Sequence, residues 1–329
     1  VTGFLVFLLM GLLGILMRFQ HAGLAPSEFS EGLFYRVMTL HGAGMITAAL
    51  LIVMGGLAAV LSRTISLSVT WLWAGLGLAV LGAGCVIYAT MVAGVATGWT
   101  VLHPLPFEGK TWTAGAGVII YAGYLFVALG FLVYALALLR GTIGRHGGLG
   151  RALAWKYLFS GGRDTSQPLP HPAELAATVV ALDGILAVLG GAVYLVPLFT
   201  EAAGVTGRVD ALFAKNFLYI FGHTLANLTI YLAAGLLYAT LPVYTGREWK
   251  VSWPIVLAWN LVIVLVLTPV FHHLYQDFAE PVPLAILGQA GSYAVGLPAA
   301  LVTIMGAMAR IYGSNFRWTV PSTLIALGL

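Results

Sequence analysis

Apolar stretches of about 20 residues recur along the whole chain, separated by short polar segments rich in glycine and proline. A helix rising 1.5 Å per residue needs about 20 apolar residues to cross the hydrocarbon core of a membrane. The pattern therefore predicts an all-α, polytopic membrane protein with about eight transmembrane helices. We place these spans at 3–20, 37–62, 71–98, 112–140, 173–198, 214–241, 253–273 and 283–312.

Composition supports the same class of protein. Of 329 residues, 60% are hydrophobic and 8% are charged, against roughly 25% charged in soluble proteins. The single cysteine, Cys85, lies inside an apolar stretch, which excludes a disulfide framework and a thiolate metal site. The net charge is +4, and the basic residues are scattered over the segments between the spans. We therefore expect a lipid bilayer, and no nucleic acid, as partner.

The basic residues between the spans predict an orientation. If the first span runs from inside to outside, most arginines and lysines fall on the inner side, including those of the longest loop, 141–172. The positive-inside rule then predicts that both termini of this chain are cytoplasmic. We expect a multi-pass protein of a prokaryotic cytoplasmic membrane.

Several histidines are predicted to lie at a similar depth in the outer half of the membrane. His223 falls roughly 13 Å into its span, His41 lies about one turn into another, and His272 and His273 close a third. Imidazole is costly to place in hydrocarbon without a partner. Three converging imidazoles would suit copper, iron or zinc. The alternative is that these histidines are polar residues at the membrane interface. This suits the adjacent pair poorly, because neighbouring helical residues point about 100° apart and rarely both find partners by accident.

Four motifs support a metal-site interpretation by resemblance. In chain order they read FYRVMTLHGAGM, GWTVLHPLP, YIFGHTLANLTIYL and LTPVFHHLYQDFAEP. This series resembles the catalytic subunit of the haem-copper oxidase superfamily, which includes oxygen reductases and nitric oxide reductases. The resemblance implies that His41 is an axial ligand of a low-spin haem. It also implies that His223, His272 and His273 hold a non-haem metal beside a high-spin haem.

The resemblance further implies a respiratory oxidoreductase. Electrons from a cytochrome c or an electron-donor subunit would pass through the low-spin haem to a binuclear centre. There a small gaseous substrate, nitric oxide or dioxygen, would be reduced. A hypothesis of a different class is a non-catalytic or transporter-like bundle that merely contains polar histidines.

One position distinguishes the two enzyme types. In most oxygen reductases of the family, the residue four positions after the first metal histidine is a tyrosine, whereas nitric oxide reductases typically have a glutamate there. Here it is Asn227, a catalytic candidate whose amide oxygen could suit non-haem iron. Tyr231 is some 12 Å along the axis from His223, too far to replace the tyrosine. Alternatively, Asn227 only bonds a neighbouring helix or water. We favour nitric oxide reduction. The alternative is a copper-containing enzyme that reduces dioxygen, with or without proton pumping.

The family normally has about twelve helices, so we interpret residues 1–329 as a single transmembrane domain resembling the N-terminal two-thirds of such a bundle. No histidine follows His273, and we find no ligand for the high-spin haem. The expectation is that the missing helices lie on another chain or that this chain is truncated.

A reaction that consumes protons inside a membrane needs a route for them. Asp183 is the one acid that we place deep within a span, and such a carboxylate indicates either a proton relay or a buried hydrogen bond. Candidate hydroxyl groups along the route are those of Thr229, Tyr231, Ser292 and Thr303. Thr303 falls where the family often has a channel hydroxyl. Single hydroxyls in membrane helices also commonly bond their own backbone, and both interpretations stay open.

Overall fold

The computed structural model describes residues 1–101, 103–104, 112, 115–267 and 281–328. Within these residues the secondary structure is helical, which confirms the all-α prediction. Twelve α-helices, α1 to α12 in chain order, are Thr2–His21, Glu31–Leu61, Val69–Ile87, Ala116–His146, Leu149–Ala152, Trp155–Phe159, Pro172–Ala202, Ala211–Thr245, Trp253–Leu265, Val282–Ala294, Leu297–Ile311 and Val320–Gly328. A π-helical turn, Tyr88–Val92, extends α3.

Six of the described segments are long and apolar enough to cross a membrane. They are Thr2–His21, Glu31–Leu61, Val69–Val92, Ala116–His146, Pro172–Ala202 and Ala211–Thr245. They correspond to the first six predicted spans, although α4 begins at Ala116 and continues to His146, into the predicted long loop. The seventh predicted span begins as α9 at Trp253, and its last residues lie outside the described part of the chain.

The eighth predicted span differs from the structure. The prediction of one helix over 283–312 is wrong in detail, because α10 ends at Ala294 and α11 begins at Leu297. Pro298 lies in the first turn of α11, where it has no N–H group to continue the hydrogen-bond ladder of α10. Two shorter apolar helices therefore replace the single long one.

Local sequence explains several helix boundaries. Ser30 precedes α2 and its Oγ atom accepts a hydrogen bond from Leu33 N. Asp210 precedes α8 and its Oδ1 atom accepts one from Phe213 N at 2.8 Å. Both side chains satisfy N–H groups that the first turn of a helix leaves without a partner.

The chain forms two compact units. The first comprises Val1–Ile52, Val69–Tyr134 and Leu186–Ala226, and the second comprises Val53–Ser68, Ala135–Ile185 and Asn227–Leu329. The prediction that 1–329 is a single domain of a larger bundle stays a prediction.

Within the first unit, α3 and α4 approach each other closely at glycine residues. A Cβ atom on Gly82 would lie 2.5 Å from the carbonyl oxygen of Gly123, and one on Gly75 would lie 2.8 Å from that of Gly130. Such spacing leaves room for hydrogen atoms only. Small residues at these positions let the two helices pack backbone against backbone, as is common in membranes.

Within the second unit, two arginines join the ends of α8 and α11. Arg247 follows α8 and its guanidinium donates to the carbonyl oxygens of Tyr312 at 2.8 Å and Gly313 at 2.5 Å, just after α11. Arg317 follows α11 and donates to Val243 O and, through its backbone, to Tyr244 O. Each cation thus satisfies carbonyl groups at the negative end of the other helix.

Candidate redox site

His41 lies in α2 with its imidazole oriented by a backbone carbonyl of α1. The distance from His41 Nδ1 to Met10 O is 2.7 Å. An N–H group at Nδ1 donates to this oxygen, which leaves Nε2 as the atom that can bind a metal. Histidine ligands in metalloproteins commonly show this arrangement, because the second hydrogen bond fixes the tautomer and the ring orientation.

Gly14 of α1 completes the surroundings of this imidazole. A Cβ atom at this position would lie 3.0 Å from His41 Cε1, closer than ordinary van der Waals contact. The absence of a side chain thus lets α1 lie against the ring. The environment of His41 fits the predicted haem ligand, because the ring is half-buried, held in one orientation and has Nε2 available.

An apolar cavity of about 80 Å³ lies in the first unit. It is lined by Ala43, Ile46, Thr47, Leu50, Trp99, Thr100, Val101, Tyr124, Val127, Tyr194, Leu195, Leu218, Phe221, Gly222 and Leu225. Its walls are mainly hydrocarbon and aromatic rings, with a few hydroxyl groups. A space of this size and polarity suits a small, weakly polar molecule.

The segment 98–101 closes one side of this cavity. Gly98 N donates to Thr39 Oγ1 at 2.9 Å, and the phenol of Tyr124 donates to Trp99 O at 3.1 Å. Val101 is buried and has a φ of 45°, an uncommon conformation for a β-branched residue. This segment belongs to the motif GWTVLHPLP, of which no residue was predicted from the sequence to form part of the site. A backbone held in such a conformation next to a cavity indicates a functional region.

His223 lies in α8 among residues that line the cavity. Its Nε2 atom is buried, and Phe221, Gly222 and Leu225 around it contribute to the cavity wall. His272 and His273 lie outside the described residues. The convergence of the three imidazoles on one metal therefore stays a prediction. In the described ranges, no group of three or more His, Cys, Asp or Glu side chains could hold a metal ion.

Asn227 lies one helical turn after His223 and is half-buried. Its Nδ2 atom is fully buried and has no hydrogen-bond partner within the described ranges. Leaving a buried amide N–H without a partner is costly, and such groups frequently mark functional positions. The side chain thus has the environment of a residue that interacts with something other than the described protein.

Asp183, in α7, is completely buried. Neither carboxyl oxygen has a hydrogen-bond partner among the residues that the structure describes. The phenol of Tyr231, in α8, donates a long hydrogen bond of 3.5 Å to Val295 O. The sequence left two interpretations of Asp183 open, a proton relay and a buried hydrogen bond. No such hydrogen bond is seen among the described residues.

A buried hydrogen-bond network connects α8, α9 and α11 in the second unit. Thr303 Oγ1 lies 2.5 Å from the hydroxyl of Tyr238, which also accepts a hydrogen bond from Trp259 Nε1 at 3.0 Å. Neither Tyr238 nor Trp259 was predicted from the sequence. The signal for Tyr238 was its position seven residues after Tyr231, two turns along the same face of α8. Thr229 lies in α8, whereas the side chain of Ser292 is outside the described part.

Comparison with known proteins gives the family. No curated protein matches the chain. A family model described as cytochrome c and quinol oxidase polypeptide I matches residues 1–329, the whole sequence. Members of this family are haem-copper oxidase-type respiratory oxidoreductases that bind haem and a copper or iron centre. With its membrane-spanning helices and a histidine environment suited to haem, the chain belongs to the cytochrome c and quinol oxidase polypeptide I family.

Proposed function

We propose that this chain is the catalytic subunit of a membrane-bound respiratory enzyme that reduces nitric oxide to nitrous oxide. The observation that carries the proposal is Asn227, which stands one turn after His223 where the resemblance to oxygen reductases leads us to expect tyrosine. An amide cannot donate an electron or transfer a proton as a phenol does. Nitric oxide reduction does not require cleavage of dioxygen and is compatible with this replacement.

The proposed ligands are four histidines of three predicted spans. His41 would bind the low-spin haem through Nε2, and His223, His272 and His273 would bind non-haem iron, or copper on the alternative. These groups, with a high-spin haem, supply electron transfer and substrate reduction when bound. The Met10 carbonyl supports the role of His41, since it already occupies the other ring nitrogen.

Asn227 would complete the metal site with a neutral oxygen ligand or hold the substrate by its amide. The buried Nδ2 atom supports an interaction of this kind. The apolar cavity of the first unit supports a small gaseous substrate, because its lining would admit nitric oxide or dioxygen and exclude ions.

Protons would reach the site partly through the second unit. The candidates are Asp183, Thr229, Tyr231, Ser292 and Thr303, to which the structure adds Tyr238. The contact between Tyr238 and Thr303 supports a route that passes from one hydroxyl to the next. We propose a cytochrome c or a donor subunit as the electron source. The setting would be a prokaryotic cytoplasmic membrane with both termini of this chain inside.

The second candidate function is oxygen reduction to water at a haem-copper centre. It is favoured by the description of the matching family, which names oxidases. On this alternative another group must replace the tyrosine missing at position 227. Tyr231 is a weaker candidate, because it lies two turns from His223.

The experiment is a set of measurements on the purified membrane complex containing this chain. Haem, copper and non-haem iron are quantified, and turnover is compared for nitric oxide and for dioxygen. The proposal expects iron with faster nitric oxide turnover, whereas copper with faster oxygen turnover establishes the alternative. Absence of haem absorption bands removes both.

Variants at position 227 test whether Asn227 takes part in the reaction. Asn227→Glu should retain nitric oxide turnover better than Asn227→Tyr, because a carboxylate can also bind iron. The control is Ile230→Val, at an exposed position on the same helix, and it should leave turnover unchanged. Equal rates for wild type and both Asn227 variants would contradict a role at the centre.

A further inference from the structure

Arginines of the second unit gather where the ends of α8 and α11 meet. Arg247, two residues after α8, donates to Tyr312 O at 2.8 Å. Arg317, six residues after α11, donates to Val243 O in the last turn of α8. Both side chains are exposed. A guanidinium group has five N–H donors, so each of these two arginines keeps donors that the carbonyl groups of the chain do not use.

A third arginine borders the same junction. Arg310, in the last turn of α11, has its guanidinium carbon 4.2 Å from the ring centroid of Trp249. Its Nη1 atom donates to Gly306 O at 3.0 Å, whereas its Nε atom is buried without a hydrogen-bond partner among the described residues. Because Trp249 comes two residues after Arg247, this stacking places the third cation against the segment that carries the first.

Positive charge exceeds negative charge at this junction. Together with a neighbouring lysine, the arginines form a basic cluster of four residues, Arg247, Lys250, Arg310 and Arg317. Glu248 is the only acid in the sequence from 211 to 276, and none follows Glu280. Within the described ranges, no carboxylate forms an ion pair with any of the four cations. The two helix ends contribute about half a negative charge each, so about two positive charges remain uncompensated.

The predicted orientation places the basic cluster at the inner surface of the membrane. Both α8 and α11 run from the predicted outer side to the inner side, and the cluster lies at their C-terminal ends. Trp318 is 68% exposed beside it and contacts Phe316 edge to face, with ring centroids 4.8 Å apart. Exposed tryptophans at this level commonly lie among lipid headgroups. The cytoplasmic leaflet is also the one whose surface is negatively charged.

We propose that the basic cluster binds the phosphate group of an anionic phospholipid of the inner leaflet, with Trp318 beside the headgroup. Arginine suits this ligand, because its planar guanidinium can donate two parallel hydrogen bonds to a phosphate. The lipid supplies the negative charge that the surrounding sequence lacks, and it accepts hydrogen bonds from the unused N–H groups. The site is independent of the gas that the enzyme reduces.

A purely structural role for the arginines leads to different results. In that case they only satisfy the last carbonyl groups of α8 and α11, as basic side chains commonly do at helix ends. Lys250 would then have no part in lipid binding. Its side chain forms no ion pair and no hydrogen bond with the residues that the structure describes, so its removal changes the charge of the cluster and leaves the helix ends intact.

The test measures phospholipid binding by the purified membrane complex that contains this chain. Delipidated complex in neutral detergent is titrated with phosphatidylglycerol or with phosphatidylcholine, and native mass spectrometry gives the dissociation constant of the tightest site. The variants are Lys250→Gln and the double variant Arg247→Gln with Arg317→Gln. The matched control is Arg145→Gln, which removes an exposed cation at the end of α4, in the same unit and on the same predicted side.

We expect the wild-type complex to prefer phosphatidylglycerol over phosphatidylcholine by about 25-fold, or about fivefold for each uncompensated charge. Lys250→Gln should reduce this preference to about fivefold, and the double arginine variant should abolish it. Arg145→Gln should keep the wild-type preference. Raising the salt concentration to about 0.5 M should weaken binding of phosphatidylglycerol and leave that of phosphatidylcholine unchanged, because salt screens the attraction.

Thermal unfolding and the haem spectrum show whether each variant is folded. Should the double variant unfold, Arg247→Lys with Arg317→Lys replaces it, and retention of most of the preference is expected because both charges remain.

Equal affinity of the wild-type complex for the two lipids would overturn the inference. Equal losses in Lys250→Gln and Arg145→Gln would also overturn it, since they would indicate general attraction to a basic surface. Glycerol phosphate that binds as tightly as phosphatidylglycerol would reassign the cluster to a soluble phosphate and exclude the lipid.

Discussion

The Nδ1 atom of His41 lies 2.7 Å from the carbonyl oxygen of Met10. This contact joins α2 to α1 and determines which ring nitrogen remains available. Gly14, one turn after Met10, leaves the space in which the ring lies. The orientation of His41 therefore depends on α1, a helix that contributes none of the proposed ligands.

A larger side chain at position 14 should displace the imidazole of His41. Gly14→Ala places a methyl group about 3.0 Å from His41 Cε1, and Gly14→Val adds further atoms there. We expect a graded loss or spectral shift of the low-spin haem, with overpacking costing about 1–3 kcal/mol for the larger residue. Absorption spectra and thermal unfolding of the complex measure both effects.

The control for the two Gly14 variants is Gly11, on the same helix, where a Cβ atom would meet nothing within 4 Å. Gly11→Ala and Gly11→Val should leave the haem spectrum unchanged. A normal spectrum in Gly14→Val would show that the ring is not confined as described.

The network around Tyr238 should matter for proton supply. Tyr238→Phe removes the hydroxyl that contacts Thr303 and Trp259, and Thr303→Val removes the other hydroxyl. We expect turnover to fall in both while haem content stays constant, with about 0.5–1.5 kcal/mol of stability lost per hydrogen bond. Steady-state rates and thermal midpoints provide the measurement.

Thr240 offers a matched control on α8, because its hydroxyl donates only to Leu236 O of the same helix at 2.8 Å. Thr240→Val should keep wild-type turnover. If Thr303→Val behaves in the same way as Thr240→Val, the hydroxyl of Thr303 serves the helix and not a proton route.

Replacement of Asp183 should change stability and activity in opposite directions. Its carboxyl group is buried without a hydrogen-bond partner among the described residues, so Asp183→Leu should raise stability by about 1–3 kcal/mol. Turnover should decrease if the carboxyl group relays protons. Thermal unfolding and turnover are measured on the same preparation, with Leu189→Ala at an exposed position of α7 as control. A stabilised variant with full turnover would exclude the relay.

The N-terminus of α7 should be sensitive to pH. His171 precedes this helix, and its Nδ1 atom accepts a hydrogen bond from Ala173 N at 3.2 Å. Burial lowers the pKa of His171 from its ordinary value of 6.5, with partial opposition from Glu174 and Glu248. The unfolded chain therefore binds more protons between the two pKa values. The free energy of unfolding should decrease as the pH falls below about 6.5 towards the folded pKa.

Thermal unfolding between about pH 8 and pH 5 checks this dependence, and the protonated cap should cost about 1 kcal/mol. His171→Asn keeps a capping side chain that does not titrate. Its unfolding should be less dependent on pH than that of the wild type, and an equal dependence would assign the effect to another group.

Much of the fold could be predicted because hydropathy is a local property of the chain. Six apolar stretches became the long helices at nearly the predicted positions, from Thr2–His21 to Ala211–Thr245. The division of 283–312 into α10 and α11 could not be predicted from hydropathy, since both halves are apolar. The division depends on Pro298, which lies within a stretch that is otherwise apolar enough for one continuous helix.

The sequence by itself determined the class of protein, the positions of most spans and, through its histidine motifs, the family. These depend on residue type and spacing along one helix. Only the tertiary structure decided that Met10 orients His41, that Tyr238 joins Thr303 and that Glu201 pairs with His103. Each of these contacts joins residues at least 31 positions apart. Such contacts exist only after helices pack, because packing decides which polar groups meet in an environment without water.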